Sequence, residues 1–244
     1  PALRPDDGVD HSTLRSGTPT ANESFGHPAS VLVGDFLYSR AFQMMVQTQN
    51  MRVMEILAEA TNIIAEGEVQ QLMNMHDASL DEAGYLKVIR SQTATLFEAS
   101  ARLGAILTNC PQATEESCAT YGRSLGTAFQ VIDDVLDYDG NASEMGKNLG
   151  DDLREGKATL PLILAMQRGT SEQRLVIHNA IENGATEELD TIIQIVRDTG
   201  ALAGARAAAA QEAETAIAAI SAFPPNEHTT ALLQLAANLL GRRH

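Results

Sequence analysis

The chain has 244 residues, of which 44% are hydrophobic and 20% charged, a composition typical of globular proteins. It carries 17 Lys and Arg against 32 Asp and Glu, a formal net charge of −15, which argues against nucleic acid as a partner because nucleic-acid binding needs a basic surface. Two cysteines are too few for a disulfide framework, and no signal peptide or apolar run of about 18 residues is present, so the sequence predicts a cytoplasmic protein.

Helical periodicity dominates the chain from about residue 29 onwards. Apolar residues such as Val33 and Phe36 recur at spacings of three and four, as on one face of a helix. Ser79 or Asp81 is expected to cap the third helix, and Pro111 to end it. No segment shows sustained period-two alternation, so we predict an all-α protein. The predicted helices span about 29–45, 51–75, 81–108, 114–136, 160–167, 172–182, 186–198, 202–222 and 229–240.

The segment QVIDDVLDYD, residues 130–139, ends in Asp139 and places three further aspartates among apolar residues of the fourth long helix. Asp133 and Asp137 are four residues apart and share a face, and Asp134 lies beside them. Burying unpaired carboxylates is costly, so this cluster predicts a compensating cation, and oxygen ligands suit Mg²⁺. An EF-hand calcium loop is excluded because its sixth and twelfth positions, which need Gly and Glu, are Ala142 and Asn148 here.

A second acidic cluster, DDGVD, stands near the start of the sequence as Asp6, Asp7 and Asp10. Two DDxxD clusters facing each other across a helical bundle would need several Mg²⁺ ions between them. A diphosphate is the natural bridging ligand for such ions, and cationic side chains should contact its outer oxygens. The cations placed for this role are Arg15, Lys147 and Lys157.

Together these motifs resemble the trans-isoprenyl diphosphate synthases, the all-α polyprenyl synthases. DDGVD followed by Leu14-Arg15 looks like the family's first aspartate-rich motif, and Phe129-Gln130 leading into the later aspartates looks like its second. The segments GEVQQL, TATLF and GKNLGDDLREGKATLP match internal motifs, and SVLVGDFLYSRAFQMM and AEGEVQQLMN look closest to bacterial octaprenyl diphosphate synthases. The resemblance implies an isoprenoid-synthase helical bundle in one domain, 1–244, that lacks the family's N-terminal helices.

The same resemblance implies a reaction: condensation of isopentenyl diphosphate onto an allylic diphosphate such as farnesyl diphosphate. The product would be a medium- or long-chain all-trans polyprenyl diphosphate, for use in quinone side chains. A homodimer is implied, and a long product implies transient membrane contact during its release. The implied Mg²⁺ ligands are Asp6, Asp10, Asp133 and Asp137, further catalytic residues are Asp7, Asp134 and Gln130, and substrate-binding residues are Arg15, Gln92, Thr93, Phe129, Gln130, Lys147 and Lys157.

The chain departs from the family pattern in ways that lower its positive charge. Arg15 is followed by Ser16 where the family has a second arginine, and Gln92 stands where it has lysine. Pro5 and Gly8 flank or interrupt a segment that is helical in the family. Ser16, Gln92 and the lack of the family's N-terminal helices favour an alternative, a catalytically impaired homologue that acts as a partner subunit, whereas the six aspartates favour an active enzyme. A terpene cyclase is a weaker alternative, because two matched clusters and the lysine-bearing loop indicate chain elongation.

Overall fold

Helices packed around one long central helix make up the computed structural model, which describes residues 14–15, 18–139 and 149–241. The predicted all-α architecture is confirmed, and strand structure in these ranges is confined to one two-residue antiparallel pair. The elements are β1 (Leu14–Arg15), β2 (Thr18–Pro19), α1 (Ala21–Phe25), α2 (His27–Gln47), α3 (Met51–Asn74), α4 (Glu82–Ile89), a π-helical turn (Arg90–Ala94), α5 (Thr95–Leu107), α6 (Gln112–Asp139), α7 (Asp151–Arg154), α8 (Leu160–Arg168), α9 (Ser171–Asn183), α10 (Leu189–Asp198), α11 (Ala201–Ile220) and α12 (Glu227–Leu239).

The central helix α6 is buried along most of its length because helices cover it on several sides. On one side lies α11, whose small residues repeat every three or four positions and form a seam of buried alanines. Small side chains let two helices approach closely. The seam consists of Ala201, Ala205, Ala209, Ala213 and Ala216.

The central helix α6 also packs against α5, again through small residues. A Cβ added to Gly122 would lie 2.4 Å from the carbonyl oxygen of Phe97, and one added to Gly126 would lie 2.7 Å from the Cα of Ala94. Contacts this short with backbone atoms cannot be relieved by moving a side chain. Only glycine therefore permits the observed approach of α6 to α5.

The single helix predicted over 81–108 is wrong in its middle. Asp81 caps α4, its carboxylate accepting a hydrogen bond of 2.8 Å from the backbone N–H of Gly84. The helix then widens into the π-helical turn, where the N–H of Thr95 donates to the carbonyl of Arg90 five residues earlier. The turn is wedged against α3, because a Cβ on Gly67 would lie 2.8 Å from the Cβ of Ser91. Such turns insert one residue into a helix and often accompany functional sites.

Other predicted boundaries differ from the observed ones by a few residues. The central helix continues to Asp139 rather than ending near residue 136, so Asp137 is helical. The β1–β2 pair and the short helices α1 and α7 were not predicted, since segments of two to five residues carry no periodic pattern. None of the helices within 18–139 and 149–241 is both long enough and apolar enough to cross a membrane.

Candidate active site

The acidic cluster on α6 divides by exposure. Asp133 is partly exposed, whereas Asp134 and Asp137 are only 4% and 6% exposed. The split follows from helical geometry, since α6 turns most of its circumference into the core here and leaves Asp133 at the border. Asp133 is thus the carboxylate that ligands from outside the helix can reach.

Both carboxylate oxygens of Asp134 accept hydrogen bonds from neighbouring side chains. The Tyr85 hydroxyl donates to Oδ2 across 2.6 Å, and the Gln130 amide donates to Oδ1 across 2.8 Å. The Thr93 hydroxyl in the π-helical turn then donates to the Gln130 amide oxygen across 3.0 Å. The structure therefore connects the predicted residues Thr93, Gln130 and Asp134 through a series of hydrogen bonds.

Asp137 connects α6 to the segment that carries Lys157. Its Oδ2 accepts a hydrogen bond of 3.3 Å from the backbone N–H of Asp152, and its carbonyl accepts one of 3.2 Å from the N–H of Gly150. Lys157 pairs with Asp152 across 3.9 Å and also forms an ion pair with Glu155. These contacts hold the cationic side chain next to the acidic cluster.

The electrostatics of the two buried aspartates, Asp134 and Asp137, favour a bound cation. Burial, followed by the negative charge of Asp152, raises the pKa of Asp134 to about 8 and that of Asp137 to about 8. Burial, together with the neighbouring Asp134 carboxylate, also keeps the pKa of Tyr85 well above its usual value, so its hydroxyl stays a donor. Ionising carboxylates that are buried and clustered in this way is unfavourable, because they lose hydration and repel one another. A hard divalent ion, which prefers oxygen ligands, would offset this repulsion.

Replacing Asp134 by asparagine should change how the stability of metal-free protein depends on pH. Native Asp134 keeps its proton up to a pKa of about 8, whereas the unfolded chain loses it near pH 4, so rising pH destabilises the wild type between these values. The variant lacks this contribution. The measurement is denaturation in the presence of a chelator. The free energy of unfolding of Asp134→Asn, relative to that of the wild type, should increase by about 1 kcal/mol or more from pH 5 to pH 8.

The control for this measurement is Asp139→Asn, which alters an exposed carboxylate at the end of the same helix. Its difference from wild type should stay nearly constant with pH. A constant difference for Asp134→Asn as well would contradict the prediction.

The other predicted site residues lie around this cluster or outside the described residues. Phe129 is partly buried and packs against the core, with its ring centroid 5.6 Å from that of Phe97, and Gln92 lies against Gly67 of α3. Arg15 belongs to β1. In the part of the chain that the structure describes, no three metal-ligating side chains converge on one point. The predicted residues outside the described ranges are Asp6, Asp7, Asp10 and Lys147.

Two residues of the site were not singled out from the sequence. Tyr85 stands in an apolar helix face, where a tyrosine reads as core, although a buried hydroxyl needs a partner and so hints at one. Asp152 lies in the segment that carries Lys157, and its position beside Asp134 and Asp137 depends on how that segment folds back towards α6.

Comparison with known proteins gives a consistent result. The family model described as polyprenyl synthetase matches residues 2–198. Octaprenyl diphosphate synthase of Escherichia coli (strain K12) is 50% identical over 232 residues, 95% of this chain and 72% of that protein. The octaprenyl diphosphate synthase of Haemophilus influenzae is 48% identical over 236 residues, 96% of this chain and 72% of that protein.

A solved structure extends the similarity to three dimensions. The polyprenyl synthase from Caulobacter crescentus CB15, complexed with calcium and isoprenyl diphosphate, has a TM-score of 0.93 and 45% sequence identity to this chain. The similarity covers 98% of this chain and 74% of that one.

Proposed function

Because the chain belongs to the polyprenyl synthetase family, we propose that it condenses isopentenyl diphosphate onto an allylic diphosphate to give a long-chain all-trans polyprenyl diphosphate. The observation that carries this proposal is the 50% identity to an octaprenyl diphosphate synthase over 95% of the chain. The acidic cluster beside Lys157 supports it, since cations and diphosphate would meet there. Quinone side chains are the proposed use of the product, and one domain over 1–244 is the proposed organisation.

A divalent ion fits the donor set, and we propose Mg²⁺. Its ligands would be Asp6, Asp10, Asp133 and Asp137, all carboxylates of the kind that Mg²⁺ prefers. When bound, the ion supplies Lewis-acid stabilisation of the negative charge on the diphosphate. Within the described residues, the partial exposure of Asp133 supports its role as a ligand from α6.

The remaining site residues would bind and orient the allylic substrate. Lys157, held next to the cluster by Asp152 and Glu155, would exchange these partners for diphosphate oxygens, and Arg15 and Lys147 would contact the same group. The allylic carbons would lie beside Thr93, Phe129 and Gln130, with Gln92 nearby. There the aromatic ring and the amide dipole would face the positive charge that develops when the carbon–oxygen bond breaks.

The direct test is incubation of the purified chain with Mg²⁺, farnesyl diphosphate and labelled isopentenyl diphosphate, followed by sizing of the dephosphorylated products. Long labelled chains are expected, and omitting the metal should abolish them. Folded protein that incorporates no label would contradict the proposal and favour the alternative, an impaired homologue that acts as a partner subunit.

We also propose a homodimer, because α2 packs against little of the chain that the structure describes. Among its 21 residues only Ser30 and Met45 are buried, although most of its residues are apolar. Leu32 is 67% exposed and Phe36 is 66% exposed, and large apolar side chains lie on several faces. A helix this apolar is normally buried. A second copy of α2 offers a matching apolar surface by symmetry.

Replacing Phe36 by glutamate should therefore shift the protein from dimer to monomer, because each charge would be buried in the interface. Light scattering after gel filtration would show the mass halved. Leu175→Glu on α9, where the leucine is also exposed, is the control and should leave the mass unchanged. A monomeric wild type, or a Phe36→Glu variant with the wild-type mass, would refute the proposed interface.

The cytoplasmic location expected from the sequence stays a prediction, as does transient membrane contact. A polyprenyl product of about 40 carbons would leave water for a bilayer, since each buried methylene contributes about 0.8 kcal/mol. Release of labelled product into added vesicles would test this contact.

A further inference from the structure

Building on the proposed function, we propose that Tyr85 is a positioning residue, whose hydroxyl fixes Asp134 and, through it, orients Gln130 and Thr93 towards the allylic substrate. Tyr85 lies on α4 and belongs to none of the motifs by which the sequence resembles the family. It acts across helices, from α4 to α6 and from there to the π-helical turn.

The hydroxyl of Tyr85 is well suited to serve as a fixed point. The side chain is 3% exposed and packs in the main core with Ile89 and Leu125, so its two torsion angles have little freedom. The hydrogen bond from the hydroxyl to Asp134 Oδ2 is short, at 2.6 Å. Hydrogen bonds to an ionised carboxylate, the form that a bound divalent cation would favour here, are stronger than those to a neutral acceptor. The carboxylate of Asp134 is thus held from α4 rather than by its own helix alone.

The second oxygen of Asp134 passes this constraint on to Gln130. Oδ1 accepts from the Gln130 Nε2 across 2.8 Å, so the amide nitrogen must face Asp134 and the amide oxygen must face away. That oxygen accepts from Thr93 across 3.0 Å. Thr93 donates to Gln130, and Gln130 in turn donates to Asp134. Only one orientation of the Gln130 amide satisfies both hydrogen bonds.

The expected consequence appears in turnover rather than in substrate binding. Diphosphate affinity is proposed to depend on Lys157 and on the metal-binding carboxylates, a set that does not include Asp134, the hydrogen-bond partner of Tyr85. Gln130, in contrast, is proposed to face the carbon on which positive charge develops. An interaction made only in the transition state affects kcat. Loss of its orientation should lower kcat about tenfold, as expected when one well-placed hydrogen bond to a charged group is removed.

The test compares wild type, Tyr85→Phe, Asp134→Ala and the double variant. We expect Tyr85→Phe to lower kcat about tenfold and to change the Kd of the unreactive analogue farnesyl thiodiphosphate, measured calorimetrically with Mg²⁺, less than threefold. In the Asp134→Ala background, the same change should have no further effect on kcat. The matched control is Tyr121→Phe, which removes another buried hydroxyl, one that donates to the Leu232 carbonyl across 2.9 Å, away from the cluster. Its kcat should equal that of wild type.

Each other outcome has a definite meaning. An unchanged kcat in Tyr85→Phe would overturn the inference and leave the proposed function intact. An undiminished effect in the Asp134→Ala background, or parallel losses of kcat and thermal stability in Tyr85→Phe and Tyr121→Phe, would also overturn it, because Tyr85 would then act elsewhere or only on folding. A wild type that makes no product would overturn the proposed function and this inference together.

Discussion

Replacing Asp133 by alanine is expected to lower the turnover of isopentenyl diphosphate about a thousandfold while the protein stays folded. Asp133 is the partly exposed member of the cluster on α6, whereas Asp134 and Asp137 are buried and hydrogen-bonded. Removing it takes away the carboxylate best placed to hold the metal, and the loss of one strong electrostatic group in an active site typically costs about 10²–10³ in kcat. The measurement is incorporation of labelled isopentenyl diphosphate under saturating substrates.

Asp139→Ala is the matched control. Asp139 lies on the same helix but is exposed and pairs with Arg206 across 2.8 Å. Its removal should change turnover less than about twofold, because a surface ion pair contributes little. Circular dichroism should show both variants folded. If Asp133→Ala kept a tenth or more of the wild-type rate, Asp133 would not be the metal ligand that we propose.

The largest expected effect on stability comes from Gly122→Val on α6. The new Cβ would lie 2.4 Å from the carbonyl oxygen of Phe97 and 2.8 Å from the Cα of Glu98. Both are backbone atoms, so α5 and α6 would have to separate along their contact. The free energy of unfolding should fall by about 3 kcal/mol, at the upper end of the usual cost of overpacking a core. Urea denaturation would measure it.

Gly104→Ala on α5 supplies the opposite expectation from the same kind of residue. Apart from the adjoining residues and the backbone of its own helix, no described atom lies within 4 Å of a Cβ placed there. The substitution should therefore stabilise the protein by about 0.5–1 kcal/mol through helix propensity alone. The prediction for Gly122→Val would be wrong if its free energy of unfolding lay within 1 kcal/mol of the wild-type value. In that case α5 and α6 could separate at little energetic cost.

Most of the helices were predictable because burial of one helix face imposes a period of three to four residues on the sequence. The second helix, expected over 51–75, runs from Met51 to Asn74. The π-helical turn was not predictable in this way, because the eight residues of α4 before it are too few to define an apolar face against which one inserted residue could be recognised. Neighbours distant in sequence, Gly67 on α3 and Gly126 on α6, lie close against it, and the local sequence does not reveal these contacts.

The residue types of the site were predictable from the sequence, but the different exposure and contacts of the three aspartates were not. Spacing alone placed Asp133, Asp134 and Asp137 together, and spacing cannot tell which carboxylate faces outwards. That distinction depends on α4 packing over α6, which buries Asp134 beneath Tyr85. The link from Asp137 to Asp152 likewise depends on a chain reversal, for which local sequence gives no distance.

The π-helical turn at Arg90–Ala94 also bears on how the fold tolerates changes in chain length. Because an α-helix advances about 100° per residue, one extra residue in a regular helix would rotate everything after it by about that angle, whereas a π-helical turn takes up the extra residue locally. Removing one of these five residues should therefore restore a regular helix and leave Phe97 near Phe129 and the backbone of α5 near Gly122. A residue inserted between Thr95 and Phe97 has no such turn to take it up, and it should rotate Phe97 away from Phe129.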